Sequence, residues 1–382
     1  MISPGRSAGI PGPSETPSGG PEELSKELGV LTRDPLCAEP ALTLLGDPIT
    51  PTPRFFVRNH FPAPKLDLAS WRLVIDGAVE RPFSLSYEEL VRIPRREVVA
   101  LLECAGNSRS GVNPPTEGVR WSHGAVGTAQ WSGVPLASVL ERAGPKSGAK
   151  EVVFEGADRG WEPTVPEELQ YAMSISIEKA MHEDTLLADR MNAAPLSVNH
   201  GFPVRAIVPD WYGMASVKWV TRLTVIDHAF QGHFRTQPYV YIHEGDPVEG
   251  PKTPVTVQRV KSLITWPGEG EAIPPGRCTV RGVAWSGHGA IARVELSVGP
   301  VDPAPSQETW LPTRLTGDPP LHGWTRWEGE IDLTRPGYYV LRVRATDVRG
   351  NAQPMLSQWN FRGVATNSVH QVPVIVRDGP PS

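Results

Sequence analysis

Cys104 stands where an apolar run ends and a polar loop begins. The run VVALLE (98–103) feeds CAGNSRSG (104–111), and Arg109 follows the cysteine by five residues. A side chain at such a strand end is presented at the edge of a sheet, where sites gather. A nearby arginine favours the thiolate, the form that ligates metals or acts as a nucleophile. The plain alternative is a small buried hydrophobe without chemistry. A second group lies in RFFVRNHFP (54–62), where alternation puts Arg58 and His60 on one face. An exposed edge strand with a snorkelling arginine would give the same pattern. His200 and Arg205 share HGFPVR (200–205), and Lys218 sits in VKW (217–219). Gathered by a fold, these cations would suit a phosphate. Taken singly, each reads as a surface charge. Most tryptophans beside Gly and Arg read as packing residues, but Trp121 and the end of WNFRG, through Arg362, are candidates to line a pocket.

Other chemistries are disfavoured. No G-x-G-x-x-G opens a helix, and neither a Walker loop nor H-E-x-x-H occurs. The three cysteines, Cys37, Cys104 and Cys278, make no disulfide framework and no C-x-x-C, which removes zinc ribbons and c-type haem attachment. The formal net charge of −5 argues against a general nucleic-acid binder. No run of 18 apolar residues is present, so no membrane span is expected. The first twenty residues hold neither an apolar h-region nor a twin arginine. The expectation is a cytoplasmic protein, or a periplasmic one whose export signal has been removed.

The elements that must position these residues follow from length and punctuation. A chain of 382 residues suggests two or three domains at about 150 residues each. With 37 Gly and 41 Pro it cannot be mostly long helix. Residues 1–20 are Gly, Pro and Ser rich and read as disordered, EELSKEL (22–28) as a helical turn or two, and 34–53 as an extended segment lying over a larger body. Strands are expected at 71–77, 98–103, 151–156, 202–209 and 217–227. Helices are expected at 87–93 behind the Ser86/Glu89 capping box, at 134–144 closing on Gly144, at 176–181 and at 184–191. This order is no repeating βαβ, so the class is α+β. From Thr253 onward the pattern changes to short alternating strands between Pro/Gly turns, read as an immunoglobulin-like β-sandwich. The expected division is 1–53 extended or disordered, 54–250 catalytic and 251–382 sandwich, with a hinge at 244–254.

RNH (58–60), CAGN with its arginine, HGFPVR, SVKW and WNFRG…N..H occur in one order over Arg54 to Val376. Together they resemble the sulfite oxidase family of molybdenum enzymes. The resemblance implies a molybdenum ligated by Cys104, the other sulfurs coming from molybdopterin. It implies cofactor binding by Arg58, Asn59, His60, Asp158, His200, Arg205, Ser216, Val217 and Lys218. It implies an anion pocket of Arg58, Arg109 and Arg362, an aromatic wall at Trp121, and an active-site tyrosine at Tyr239. Two departures accompany it: Pro238 precedes Tyr239 where animal members have Asp, and Ser108 stands where they have a second loop arginine.

The implied reaction is oxidation of sulfite to sulfate, with electrons leaving to an external acceptor, cytochrome c or dioxygen. A sibling activity on another oxyanion or sulfur compound, nitrate reduction included, shares fold and cofactor. A non-catalytic immunoglobulin-like binding protein is the reading from another class. The family also implies a homodimer through the C-terminal domain, where Trp285, Trp310 and Trp327 are either interface aromatics or sandwich core.

Overall fold

The apolar run before Cys104 forms the strand Arg96–Glu103, and everything that frames the site is hung on it. The computed structural model describes residues 24–247, 250, 252–301 and 308–378. Residues 1–20, and residues 248, 249 and 251 of the expected hinge, lie outside those described. Arg96–Glu103 pairs antiparallel along its whole length with Val126–Pro135, which pairs with Leu186–Met191. Arg205–Ile207 adds to the same sheet. A second sheet runs Phe83–Ser86, Arg72–Gly77, Val220–Ile226, Glu151–Gly160, Leu169–Ser176, with one parallel pair between Arg72–Gly77 and Val220–Ile226. The main apolar core of this half lies between its sheets and the helix Leu136–Ala143.

Local chemistry accounts for the short helices. Ser86 caps Tyr87–Val91 through the backbone N–H of Glu89, whose carboxylate accepts from the Ser86 N–H in return. Leu136–Ala143 ends on Gly144 at φ +69°, a left-handed position suited to glycine.

Three expectations are corrected. The stretch 184–191, read as helical, is the strand Leu186–Met191, buried at every position except Arg190. A strand buried on both faces loses its alternation, and periodicity then cannot tell it from a buried helix. EELSKEL does not continue as helix: residues 26 and 27 turn and Leu28–Arg33 is a strand. Residues 34–53 do more than lie over the body. Leu36–Pro40 pairs with Leu28–Arg33 and with Val57–Arg58, setting Cys37 opposite Arg58. The strands Val126–Pro135 and Leu169–Ser176 add to those expected from the sequence.

The C-terminal half is β throughout its described residues. One sheet orders Lys261–Trp266, Gly276–Trp285, Thr325–Leu333, Arg314–Thr316. The other orders Ala272–Ile273, His370–Val376, Gly337–Asp347, Ile291–Pro300, Leu311–Pro312. Their inner faces share a core that includes Val280, Leu296, Trp327, Leu341 and Val374. The described residues are thus mostly β with few short helices, within the mixed α+β class. Of the three tryptophans offered as interface aromatics, Trp285 and Trp327 are core, while Trp310 is half-buried beneath Arg344, 4.2 Å from its ring. Trp285 belongs to a cluster joining the two halves, with Leu101, Val126, Leu263, Val283 and Trp324. No helix among the described residues is long and apolar enough to cross a membrane.

Candidate active site

Strand Arg96–Glu103 delivers Cys104 to a cavity, and the loop after it folds back sharply. The Asn107 N–H donates to Cys104 O at 2.8 Å, and the Arg109 N–H to Gly106 O at 3.0 Å. Ser108 takes φ +74°, a left-handed conformation that reverses the chain. The Arg109 guanidinium then lies in a notch made by two glycines. A Cβ at Gly106 would sit 2.8 Å from its Nη1, and one at Gly118 2.7 Å. It donates to Val119 O at 3.1 Å and Gly363 O at 3.3 Å. The Ser108 hydroxyl meets His123 Nδ1 at 2.8 Å and is turned away from this role.

The cavity beside Cys104 is lined by Arg58, His60, Asp158, His200, Arg205, Ser216, Val217, Lys218 and Tyr239. Residues from six separate segments that the sequence singled out are therefore brought together. Arg58 donates to the Asn59 carbonyl and to Cys37 Sγ. Lys218 Nζ donates to Asn59 Oδ1 and to Asn199 O, and lies 4.2 Å from the Trp219 ring. Asn59 thus acts beneath the cavity, tying Lys218 to the Arg58 strand. Arg205 donates to His200 O and Ser216 O and stacks over Trp131. Tyr239 hydrogen-bonds His60 Nε2, whose ring stacks on Tyr171 at 4.3 Å.

Besides Asn59, three expected residues lie outside the lining: Arg109 in its glycine notch, Trp121 and Arg362. Trp121 is fully buried and stands behind the cavity, its ring edge-on to the lining Phe56 at 6.3 Å. Arg362 is half-buried and outside the lining, near enough to His233 to depress its pKa after burial has done so. The residues after Arg362 do reach the Cys104 loop: Gly363 O accepts from Arg109, and the Ala365 N–H donates to Ala105 O at 2.7 Å. Sequence reasoning missed Tyr171, Asn199, Phe55, Phe56 and Trp219, all lining the cavity, and Cys37 beneath Arg58. The aromatic pair preceding RNH, and the Asn before His200, were visible signals. Tyr171 offers none, lying in a strand that adds to those expected from the sequence.

Electrostatics follow from crowding cations in a dry place. Burial pushes the Cys104 thiol up, partly opposed by Arg58 and Arg109. Burial lowers Arg109, and brings Arg205 down to about 9. His200 falls to about 3 through burial and then Arg205 and Lys218. His60 is held well below the histidine range by burial and by Arg58 and Lys218. Burial drives Tyr239 up to about 12 and Asp158 up to about 6, the latter against the pull of Lys218. Arg58 alone among the cations moves up: burial opposes its charge, but Tyr239, Cys37 and Cys104 outweigh it.

The donor set fits an anionic organic cofactor with a soft metal. Asp158 Oδ1, His200 Nε2 and Arg205 Nε are buried and without a hydrogen-bond partner, although each belongs to a cavity-lining residue. Buried polar atoms left unpaired at a cavity call for polar groups to fill it. Arg205, Lys218 and His200 are the means to hold a phosphate, and the Cys104 thiolate a soft metal. Among the described residues no cluster of three or more His, Cys, Asp or Glu is placed to hold a metal ion.

Comparison with known proteins agrees with this chemistry. Residues 60–234 match the oxidoreductase molybdopterin binding domain, and 252–377 the Mo-co oxidoreductase dimerisation domain. Sulfite oxidase of Gallus gallus is 36% identical over 380 residues, covering 94% of this chain and 80% of its own. Sulfite oxidase of Arabidopsis thaliana is 32% identical, covering 95% and 97%. A solved structure, the sulfane dehydrogenase SoxCD from Paracoccus pantotrophus, superposes with a TM-score of 0.75 at 28% identity, covering 96% and 92%.

Proposed function

The chain belongs to the sulfite oxidase family, and on that premise we propose that it is a molybdenum- and molybdopterin-dependent enzyme that oxidises sulfite to sulfate. The observation that carries the reading is Cys104 at the edge of a cavity whose other walls hold Arg58, Arg205 and Lys218 together with three unpaired buried polar atoms. When bound, the cofactor supplies oxygen-atom transfer coupled to storage of two electrons. Sulfite and water become sulfate, two protons and two electrons, and the electrons pass to an external acceptor, cytochrome c or dioxygen.

The chain's own residues do the rest. Arg205, Lys218 and His200 hold the phosphate, with Ser216 and Val217 beside them and Asp158 as a further contact to the pterin. Arg58 and Arg109 present a positive face next to Cys104, where a compact anion gains charge-assisted hydrogen bonds in a place shielded from water. The hydrogen bonds of both run to carbonyls or a thiol, so their charge is available to a substrate. His60 orients the Tyr239 phenol, which burial keeps protonated.

The domain division 54–250 and 251–382, an immunoglobulin-like topology for the C-terminal half, and a homodimer through that half belong to the same proposal. Exposed Leu311, Tyr338 and Leu356 are what a second copy would cover there. The deciding experiment is metal analysis joined to sulfite-dependent bleaching of the oxidised protein's visible band. Stoichiometric molybdenum and bleaching by sulfite are expected. A molybdenum protein bleached only by another sulfur compound, or whose reduced form is reoxidised by nitrate, would move the reading to the sibling activity. A protein that takes up no molybdenum would remove it altogether.

A further inference from the structure

Glu103 carries a carboxylate at the end of an apolar strand, immediately before Cys104, with 1% of its surface exposed. Three side chains hold it. Lys261 Nζ lies 3.0 Å and Asn107 Nδ2 3.2 Å from Oε1, and Trp285 Nε1 lies 2.9 Å from Oε2. Lys261 and Trp285 belong to the C-terminal half, and each is 2% exposed. Among the described residues no other ion pair is as dry on both sides.

The same cluster grips the loop that bears Cys104 and Arg109. Lys261 Nζ also donates to Asn107 O at 3.3 Å, which accepts from Thr366 Oγ1 at 3.1 Å as well. A buried ion pair is a poor source of stability, since apolar residues of the same volume often do as well or better. What it supplies is direction: each bond fixes an angle as well as a distance. We propose that Glu103, Lys261 and Trp285 are positioning residues, through which the C-terminal half sets the Cys104 thiol and the Arg109 guanidinium in register with the cofactor. This rests on the molybdenum reading above. It assigns the C-terminal half a part in the chemistry that is separate from any part in dimerisation.

The experiment uses the full chain carrying Cys278→Ser, with Glu103→Gln, Lys261→Met and the double change Glu103→Leu/Lys261→Met. In cofactor-free protein, alkylation of Cys104 by iodoacetamide should run at least about tenfold faster in the folded variants, because a loosened loop opens more often. In loaded protein, molybdenum content should persist and the visible band should shift. A displacement near 1 Å should lower kcat about ten- to a hundredfold with little change in KM. The double variant removes both charges, so its Tm should recover toward that of the parent while kcat and the band do not. If kcat and the band recover together with Tm, the cluster is structural only and the proposal falls. It falls equally if the single variants fold with parental kcat, band and alkylation rate. Should the single variants fail to fold, the double variant decides alone. A parent protein without molybdenum would overturn the reading of the site, and the alkylation rates would then decide whether the cluster positions Cys104.

Discussion

Replacing Arg58 by glutamine removes a guanidinium from the cavity while keeping one amide donor of shorter reach. Arg58 is half-buried, on a strand end opposite Cys37, and its hydrogen bonds go to the Asn59 carbonyl and the Cys37 sulfur. No carboxylate binds it, and its charge is strengthened by Tyr239 and Cys104 despite burial. A charge-assisted hydrogen bond to sulfite at this place is worth about 1.5–3 kcal/mol. At 1.36 kcal/mol per power of ten this is a loss of about ten- to a hundred-and-fifty-fold in kcat/KM. Most of it should fall on KM, because the anion meets Arg58 before it reacts as well as after. Arg58→Lys retains the charge without the fork and should lie between the two. The assay is steady-state sulfite turnover at several ionic strengths, corrected for molybdenum content. The parent should lose kcat/KM as salt rises, and Arg58→Gln should show a shallower slope. Unchanged kcat/KM in the glutamine variant, or a loss that vanishes once corrected for molybdenum, would refute this role for Arg58.

Other consequences are as direct. Cys104→Ser substitutes a harder and far less acidic donor, so sulfite oxidation should be abolished while circular dichroism and Tm stay near parental values; retained turnover would remove Cys104 as metal ligand. Tyr239→Phe deletes the hydroxyl that meets His60 and should lower kcat/KM by one to two powers of ten, about 1.4–2.7 kcal/mol; equal kinetics would take Tyr239 out of the site. His322, from the C-terminal half, sits 2.9 Å from Asp210 and 3.1 Å from Asp184; burial opposes its charge, but the two carboxylates raise its pKa above its ordinary value. Arg96 and Lys179 face the same carboxylates. The stabilisation is therefore complete below the unfolded-state value, about 6.5, and lost as pH rises through the raised folded value. The Tm difference between parent and His322→Gln should shrink as pH rises above about 6.5, and a difference that does not vary with pH would show that His322 contributes no charge there.

Residue pattern alone was enough for whatever depends on near neighbours. VVALLE reads as a strand and is one, Ser86 and Glu89 cap a helix, and Gly144 ends another, because alternation, caps and left-handed glycines are local properties. The loop from Cys104 to Arg109 was legible for the same reason, and so was the change to a β-only C-terminal half. Tertiary structure decided what depends on burial and on partners far along the chain. Leu186–Met191 is a strand because Val126–Pro135 pairs along one of its edges and Arg205–Ile207 along the other, partners its own residues could not reveal. Trp285 and Trp327 look like any surface aromatic until the two halves close over the first and two sheets over the second. Arg58, Arg205 and Lys218 are ordinary charges in sequence and become one positive cavity wall only when their three segments converge. Glu103 is the clearest case: a carboxylate ending an apolar strand has no local reason to be there. Its reason is Lys261, 158 residues away, and only the packing of one half of the chain against the other brings the two together.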